Sequence, residues 1–314
     1  MIIRALAGCA ILAFACIAGA AAATSVPTYD QAQKLVDKND FKGAIALLDR
    51  LLKADPKNAK ALVLRGDAKD DLGDPTAALA DYDAAIAINP DYAYAYATRC
   101  DTQAELEHYD AAVSDCTKAL TLNSSSELAL RARSKAYYFR GDYQLALADA
   151  QQVVALDPTD SRSQMAACRA DFGAKQYDAA RDSCSKTIAY APDEENAYFY
   201  RGRSALEQKN YEPAIADLRK AVSIDSDFTG AHYWLGDAEY SAQKYGDALS
   251  EVDAYMLKYP HDPDALLLRA QINQKLGKAD QAKYDAQEAL RQYKIDNDDD
   301  GMKAAQAFID ALKP

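Results

Sequence analysis

Two pairs of cysteines share one spacing. Cys100 precedes Cys116 by sixteen residues, and Cys168 precedes Cys184 by the same interval. Thiols in such pairs can oxidise to a disulfide, bind a metal or carry out redox chemistry. No histidine or further cysteine lies at metal-ligand spacing, and the chain contains no Cys-x-x-Cys motif. The pattern leaves two interpretations: structural disulfides, or four separate buried thiols that act as small apolar residues.

Arginine and aspartate recur at the same interval. The five pairs are Arg65 with Asp81, Arg99 with Asp115, Arg133 with Asp149, Arg201 with Asp217, and Arg269 with Asp285. Opposite charges at a repeated spacing favour structural ion pairs over a catalytic arginine.

The histidines form no catalytic constellation. His108, His232 and His261 have no serine or cysteine partner at a repeated spacing, and no glycine-rich loop for phosphate occurs. We therefore predict that the chain is not an enzyme and uses no cofactor.

An acidic run near the C-terminus resembles a metal site. The segment "DNDDDG", Asp296 to Gly301, has the Asp-x-Asp-x-Asp-Gly start of a calcium-binding EF-hand loop. The twelfth position, which should be glutamate, is Ala307. We predict a solvated acidic turn in which Asp300 or a neighbour caps a final helix, with calcium binding as the alternative.

The elements that position these residues repeat every 34 residues. From Ser25 the chain divides, without insertion or deletion, into the units 25–58, 59–92, 93–126, 127–160, 161–194, 195–228, 229–262 and 263–296. We number the residues of each unit as positions 1 to 34. Position 20 is always alanine, and position 8 is always alanine, glycine, serine or cysteine.

Each unit is predicted to be a helical hairpin. Two stretches of about 14 residues with helical apolar periodicity are separated by a short turn such as "GDY" or "KNY". Small side chains at positions 8 and 20 allow the two helices to approach closely. One hairpin cannot bury its own apolar face, so successive hairpins must stack.

In these features the chain resembles the tetratricopeptide repeat family over residues 25–296. The resemblance implies an all-α, right-handed superhelical solenoid of eight hairpins. Residues 297–314 then form the acidic turn and a capping helix over Met302 to Leu312.

The hairpin explains the sixteen-residue spacing. A turn around position 16 places positions 8 and 24 side by side, which favours the disulfides Cys100–Cys116 and Cys168–Cys184. Each would stabilise the chain by about 3 kcal/mol. Positions 7 and 23 are also neighbours, and their ion pairs would contribute at most about 1 kcal/mol each if exposed.

The resemblance also implies a binding surface. In the family the first helices line a concave groove through positions 2, 5, 9, 12 and 13. These positions are acidic in units 2 and 3 but basic and aromatic in units 4 to 6. The predicted groove residues are Arg131, Lys135, Tyr138, Phe139, Arg162, Arg169, Phe172, Phe199 and Arg203.

Such a surface predicts a scaffold or adaptor that binds a protein partner or an acidic or C-terminal peptide segment. Two alternatives remain at this point. The groove residues are ordinary solvated helix faces, or the chain is a self-associating structural subunit of a cell-envelope complex, so that a homo-oligomer is possible.

The N-terminus and the net charge bear on location. Residues 1–23 read as a secretory signal peptide with a cleavage option just before Thr24, and a retained membrane anchor is the alternative. Cleavage would remove one charged residue, Arg4, and change the net charge from −12 to −13. We predict a periplasmic or secreted protein, and the negative charge argues against binding to nucleic acid or to anionic membranes.

Overall fold

The structure is a computed structural model that describes residues 26–312, which form seventeen α-helices and contain no strand. The helices are α1 (Tyr29–Val36), α2 (Phe41–Ala54), α3 (Ala59–Asp70), α4 (Pro75–Ile88), α5 (Ala93–Glu105), α6 (Tyr109–Leu122), α7 (Glu127–Arg140), α8 (Tyr143–Leu156), α9 (Ser161–Gly173), α10 (Tyr177–Tyr190), α11 (Glu195–Glu207), α12 (Tyr211–Ile224), α13 (Thr229–Ser241), α14 (Tyr245–Lys258), α15 (Pro263–Lys275), α16 (Ala279–Asp296) and α17 (Asp299–Ala311). None of these helices is long and apolar enough to cross a membrane. The predicted signal peptide lies outside the described residues.

The helices form consecutive hairpins. Each odd-numbered helix up to α15 packs against the even-numbered helix that follows it. The even-numbered helices begin at 34-residue intervals, at Phe41, Pro75, Tyr109, Tyr143, Tyr177, Tyr211, Tyr245 and Ala279. The all-α solenoid of stacked hairpins is therefore confirmed, whereas the unit boundaries stay a prediction.

Small residues bring the two helices of a hairpin together. The eight alanines at position 20, from Ala44 to Ala282, are fully buried. At position 8 of the second unit, a Cβ added to Gly66 would come within 2.5 Å of the Tyr82 ring. A larger side chain would push the helices apart, which explains the restriction of both positions to small residues.

Every hairpin turn contains one residue in the left-handed conformation. The residue is always at position 15: Asn39, Gly73, Glu107, Gly141, Lys175, Lys209, Gln243 and Gly277, with φ between 58 and 85°. A single left-handed residue ends the first helix and redirects the chain into the second. Only three of the eight are glycine, so composition did not reveal this feature of the turn.

The packing between hairpins places the odd-numbered helices on the inner side. Each odd-numbered helix contacts the next odd-numbered helix, from α1 with α3 to α13 with α15 and α15 with α17. Within residues 26–312 no even-numbered helix contacts another even-numbered helix. The odd-numbered helices are thus crowded together and line the concave face, and the even-numbered helices spread over the convex face.

The last helix covers the end of the stack. Helix α17 packs on α16 and α15, and it begins at Asp299, three residues before the predicted start. The earlier start has a local cause: the Asp298 carboxylate accepts hydrogen bonds from the backbone N–H groups of Asp300 and Gly301. In the acidic run the N-cap is therefore Asp298, and the next two aspartates favour the positive end of the helix.

Candidate functional site

The cysteine pairs lie within hairpins and are disulfide-bonded. Cys100 is joined to Cys116 with 5.5 Å between their Cα atoms, and Cys168 is joined to Cys184 with a Cα separation of 4.8 Å. All four side chains are fully buried. The bonds therefore hold α5 to α6 and α9 to α10 inside the stack, which is a structural role.

The five arginines at position 7 are fully engaged in structural contacts. Each donates two hydrogen bonds to the aspartate at position 23 of its own hairpin, for example Arg65 Nε to Asp81 Oδ2 at 2.9 Å and Arg65 Nη2 to Asp81 Oδ1 at 2.6 Å. Each also donates Nη1 to the second helix of the preceding hairpin; the acceptors are Asp49, Asp83, Thr117, Ser185 and Asp253. These contacts to the preceding hairpin were not predicted.

Burial distinguishes these pairs from surface ion pairs. The Asp81 and Asp285 side chains are only 6% and 4% exposed. Loss of the arginine would leave a buried carboxylate without its main partner, which costs more than an exposed pair contributes. The sequence-based value of about 1 kcal/mol assumed exposure and does not apply.

The seventh hairpin, which has Leu235 at position 7, uses another arrangement. Arg219 on α12 donates to the buried Glu239 at 2.5 Å. Glu251 at position 23 instead lies 2.6 Å from His232 Nδ1. Between the sixth and seventh hairpins the bridging arginine therefore lies on the second helix of the preceding hairpin, and its acceptor lies on the first helix of the following one.

Arg169 on α9 and Arg203 on α11 have different surroundings from the position-7 arginines. Neither donates a hydrogen bond to any residue of 26–312, and the Nε atom of each is buried without a partner. Arg203 Nη2 comes no closer than 3.8 Å to the Glu207 carboxylate. Both side chains lie at position 9, on the inner side of the first helices.

Aromatic rings hold the two guanidinium groups. The Arg203 guanidinium carbon lies 3.6 Å from the centre of the Trp234 ring and 4.7 Å from that of Phe172. The Arg169 guanidinium carbon lies 6.0 Å from the ring centres of both Tyr138 and Phe139. Contact with ring faces favours a cation but leaves the in-plane N–H donors of the two Nη atoms free for an acceptor.

Burial has an electrostatic consequence at these arginines. It lowers the pKa of both Arg169 and Arg203 from the ordinary arginine value, because the charged form loses water. The guanidinium groups remain charged at physiological pH. A carboxylate placed against their free N–H groups would restore the lost hydrogen bonds and neutralise the charge.

The other predicted basic residues have acidic neighbours. Arg131 Nη1 lies 3.4 Å from Asp160, the N-cap of α9, and Arg162 Nε lies at the same distance from another oxygen of that carboxylate. Lys135 Nζ lies 3.7 Å from Glu105. These three residues are on the predicted face but are partly neutralised within the chain.

The predicted aromatic residues form the walls of the site. Phe172 and Phe199 are buried, Tyr138 is partly buried, and Phe139 is 47% exposed. Tyr200, which was not predicted, contacts the rings of Tyr138, Phe172 and Phe199 with centre distances of 5.9, 5.4 and 5.2 Å.

The chain's only tryptophan was also missed. Tyr200 and Trp234 both occupy position 6, outside the positions that the family resemblance assigns to the groove. Aromatic residues at position 6 of two consecutive units were the signal that could have found them.

We name as the basic-aromatic centre the residues Arg169 and Arg203 with their walls Tyr138, Phe139, Phe172, Phe199, Tyr200 and Trp234. Acidic side chains lie on both sides of it. On the N-terminal side, burial raises the pKa of Asp67 to about 7 and that of Asp101 to about 6. On the C-terminal side, burial raises the pKa of Asp237, and the nearby Arg203 opposes that shift. The concave face is therefore acidic, then basic, then acidic along the stack.

Clefts on the outer side belong to the architecture of the repeat. A cleft of about 550 Å³ includes Leu249, Asp253, Arg269 and Asp285 in its lining, and one of about 460 Å³ is lined by residues at the same positions two hairpins earlier. Both lie along the junction between successive hairpins that the position-7 arginines bridge. Their recurrence identifies them as gaps between hairpins rather than as a particular ligand site.

The comparisons with known proteins agree with this architecture. Family models described as tetratricopeptide repeat match residues 29–93, 165–227 and 205–272, which together exceed half of the chain. The chain belongs to the tetratricopeptide repeat family. A search of curated protein sequences found no significant match.

Solved structures share the fold at low sequence identity. The APC/C hetero-tetramer Cut9–Hcn1 matches with a TM-score of 0.71 and 13% identity; the match covers 89% of this chain but only 55% of that one. A tetratricopeptide repeat protein from Parabacteroides merdae has a TM-score of 0.57 and 17% identity, covering 77% of this chain and 96% of that one. PilF from Pseudomonas aeruginosa has a TM-score of 0.57 and 17% identity, covering 68% and 96%. Identities this low show the fold alone.

Proposed function

We propose that the chain is a scaffold or adaptor of the cell envelope whose concave face binds an extended acidic segment of a protein partner. The observation that carries this proposal is the pair Arg169 and Arg203, two cations without a hydrogen-bond acceptor among residues 26–312. Carboxylate is the acceptor that matches a guanidinium in charge and geometry. The aromatic walls provide contact area for apolar side chains next to the acids.

Membership of a repeat family supports binding rather than catalysis. Stacked hairpins create an extended concave surface, which suits a partner that is long compared with a small molecule. The similar Cut9–Hcn1 structure is itself an assembly of protein chains.

The proposed location is the periplasm or the cell exterior. Two disulfides buried in the stack favour an oxidising compartment. The apolar N-terminal segment, residues 1–23, supports export as its signal peptide. Fractionation of cells that produce the full chain tests this location, and recovery of the protein in the cytoplasm with Cys100, Cys116, Cys168 and Cys184 as free thiols would contradict it.

The partner is sought by affinity capture from the envelope fraction. The test variant carries Arg169→Gln and Arg203→Gln. Arg131 is left unchanged because its contact with Asp160 stabilises the start of α9. The control variant carries Arg181→Gln and Lys220→Gln on α10 and α12, which removes the same amount of charge from the second helices.

We expect the wild type and the control variant to capture the same protein and the test variant to lose it. The captured protein should contain an acidic segment that binds as a synthetic peptide. Equal capture by both variants, at equal thermal stability, would show that the partner does not use the basic-aromatic centre.

Self-association is the second candidate function. It is favoured by large apolar side chains exposed near the C-terminal end, with Leu257, Tyr284 and Ile295 exposed by 88%, 67% and 62%. Light scattering tests it: a stable oligomer that Leu257→Ser with Tyr284→Ser converts to a monomer would support self-association. A wild-type monomer at all concentrations would exclude it as the main function.

A further inference from the structure

Position 9 forms a row of charges along the concave face. From α3 to α13 the residues at this position are Asp67, Asp101, Lys135, Arg169, Arg203 and Asp237. All six side chains are partly exposed, and they lie on consecutive first helices that contact one another. The row therefore presents two acids, three bases and one acid in a fixed spatial order.

The two acids directly next to the bases in this row are as poorly paired as Arg169 and Arg203. Asp101 and Asp237 make no hydrogen bond and no ion pair with any residue of 26–312. Two positions earlier in the same helices, by contrast, arginines such as Arg99 and Arg201 donate three hydrogen bonds each. The charges at position 7 are paired within the stack. At position 9, Asp67 accepts hydrogen bonds from two tyrosines and Lys135 lies 3.7 Å from a glutamate. The other four charges of the row make no hydrogen bond with any residue of 26–312 and are left for contacts outside the chain.

We infer that the concave face selects an extended peptide segment with basic residues on both sides of an acidic centre. This inference rests on the proposed function, because the acidic centre is the part that Arg169 and Arg203 bind. The flanking basic residues of the peptide meet Asp101 on one side and Asp237 on the other. A segment with the opposite order would place like charges together at all three points.

The geometry of stacked helices sets the spacing of the charges. Neighbouring first helices lie about 8–10 Å apart, and an extended chain advances about 3.3 Å per residue, so one hairpin corresponds to about three residues of peptide. The step from Asp101 to Asp237 spans four hairpins, or about twelve residues of peptide. The acidic residues of the ligand then fall between the two basic ends, opposite Lys135, Arg169 and Arg203.

Three synthetic peptides of 13 residues test the charge order by calorimetry on the full mature chain. The first has Lys at both ends and Glu at positions 4, 7 and 10. The second has the same composition with Glu at positions 1, 7 and 13 and Lys at positions 4 and 10. The third keeps the three glutamates of the first and replaces both lysines by Gln.

We expect the first peptide to bind about tenfold more tightly than the second, which corresponds to about 1.4 kcal/mol. In the variant Asp101→Asn with Asp237→Asn this preference should fall below about threefold, while binding of the third peptide is unchanged or stronger because two nearby like charges are removed. The control variant, Asp91→Asn with Asp193→Asn, removes two exposed acids at position 33 and should keep the preference.

The outcomes separate this inference from the proposed function. If the third peptide binds and the first two bind equally, the charge order is irrelevant and only the inference is wrong. If the preference persists in the variant Asp101→Asn with Asp237→Asn, those residues do not recognise the terminal lysines of the peptide, and the inference is also overturned. If none of the peptides binds, both the inference and the acidic-segment proposal are contradicted.

Discussion

At the scale of single residues, the same amino acid has two roles in the same helices. Arg201 and Arg203 are both on α11, two residues apart. Arg201 donates two hydrogen bonds to Asp217 in its own hairpin and one to Ser185 in the preceding hairpin, so its position is fixed by the stack. Arg203 contacts rings and no acceptor at hydrogen-bond distance. The direction in which each side chain leaves the helix separates the structural arginine from the one available to a ligand.

Asp67 leads to a prediction on pH and stability. Its pKa is raised to about 7, mainly by burial, although the Tyr82 and Tyr94 hydroxyl groups donate to it. Between pH 4 and 7 the folded chain holds a proton that the unfolded chain has lost, so this group's contribution to stability falls as the pH rises through that range. At pH 8 the carboxylate is ionised and costs free energy in the folded state.

Asp67→Asn removes that cost. Its amide oxygen still accepts from one of the two tyrosine hydroxyl groups, and its NH2 group can donate to the oxygen of the other. The difference in unfolding free energy between the variant and the wild type should increase by about 1–2 kcal/mol from pH 5 to pH 8. This is less than the full value that the pKa shift implies, because the site is partly exposed. Denaturant unfolding at the two pH values measures the gain. The exposed Asp91→Asn serves as control, and a gain of the same size there would assign the effect to net charge instead of burial.

At the scale of elements, each hairpin is held by small residues and a left-handed turn, and six of the eight are also held by a position-7 ion pair or a disulfide. Position 8 illustrates how these solutions replace one another: Cys100 bonds to Cys116, whereas Ser134 in the next hairpin donates to the carbonyl oxygen of Ala146. Both side chains are fully buried. The hairpin backbone tolerates either solution, which supplies matched variants for testing the disulfides.

The disulfide prediction uses the fourth hairpin as its template, where Ser134 and Ala150 occupy positions 8 and 24. Cys100→Ser with Cys116→Ala should lower the unfolding free energy by about 3 kcal/mol without changing the helical content. Denaturant titration followed by circular dichroism measures this loss. Equal stability of variant and wild type under non-reducing conditions, or four reactive thiols in unreduced denatured protein, would show that the cysteines are not bonded.

The turns lead to a further prediction. Lys175 adopts φ of 59° at position 15, a conformation that costs a residue with a side chain about 1–2 kcal/mol more than glycine. Lys175→Gly should therefore raise the unfolding free energy by about 1 kcal/mol, reduced by the greater entropy of glycine in the unfolded chain. Lys220→Gly, inside α12, is the control and should lower it by about 1 kcal/mol. A loss of stability in both variants would contradict the left-handed turn.

The sequence was sufficient for the elements that repeat and insufficient for contacts between units. Alanine at every position 20 and the 34-residue period predicted the hairpins, because the close approach of two helices restricts side-chain size. The bond from Arg65 to Asp49 was not predicted, since it joins residues of two successive units across the junction between their hairpins. The ring of Trp234 against Arg203 was also missed, because it reaches across from the next unit.

At the scale of the whole molecule, the stack turns a linear order of residues into a linear order of charges. The odd-numbered helices contact each other in sequence, so residues 34 apart become neighbours on the concave face. A chain with a net charge of −12 thereby concentrates three bases at the middle of one surface. Opposite charge along this row favours capture of a partner that is acidic where the row is basic, and the attraction should weaken as salt rises.

Trp234, the chain's only tryptophan, lies in the basic-aromatic centre and reports directly on whether an acidic ligand binds there. Titration with the peptide carrying three glutamates and no lysine should change the tryptophan emission in a saturable way, because a carboxylate at Arg203 alters the group stacked 3.6 Å from the indole ring. Arg203→Gln should abolish the change, and Arg181→Gln should preserve it. If calorimetry shows that the peptide binds while the Trp234 emission stays constant, the ligand site lies elsewhere and the account of the concave face is wrong.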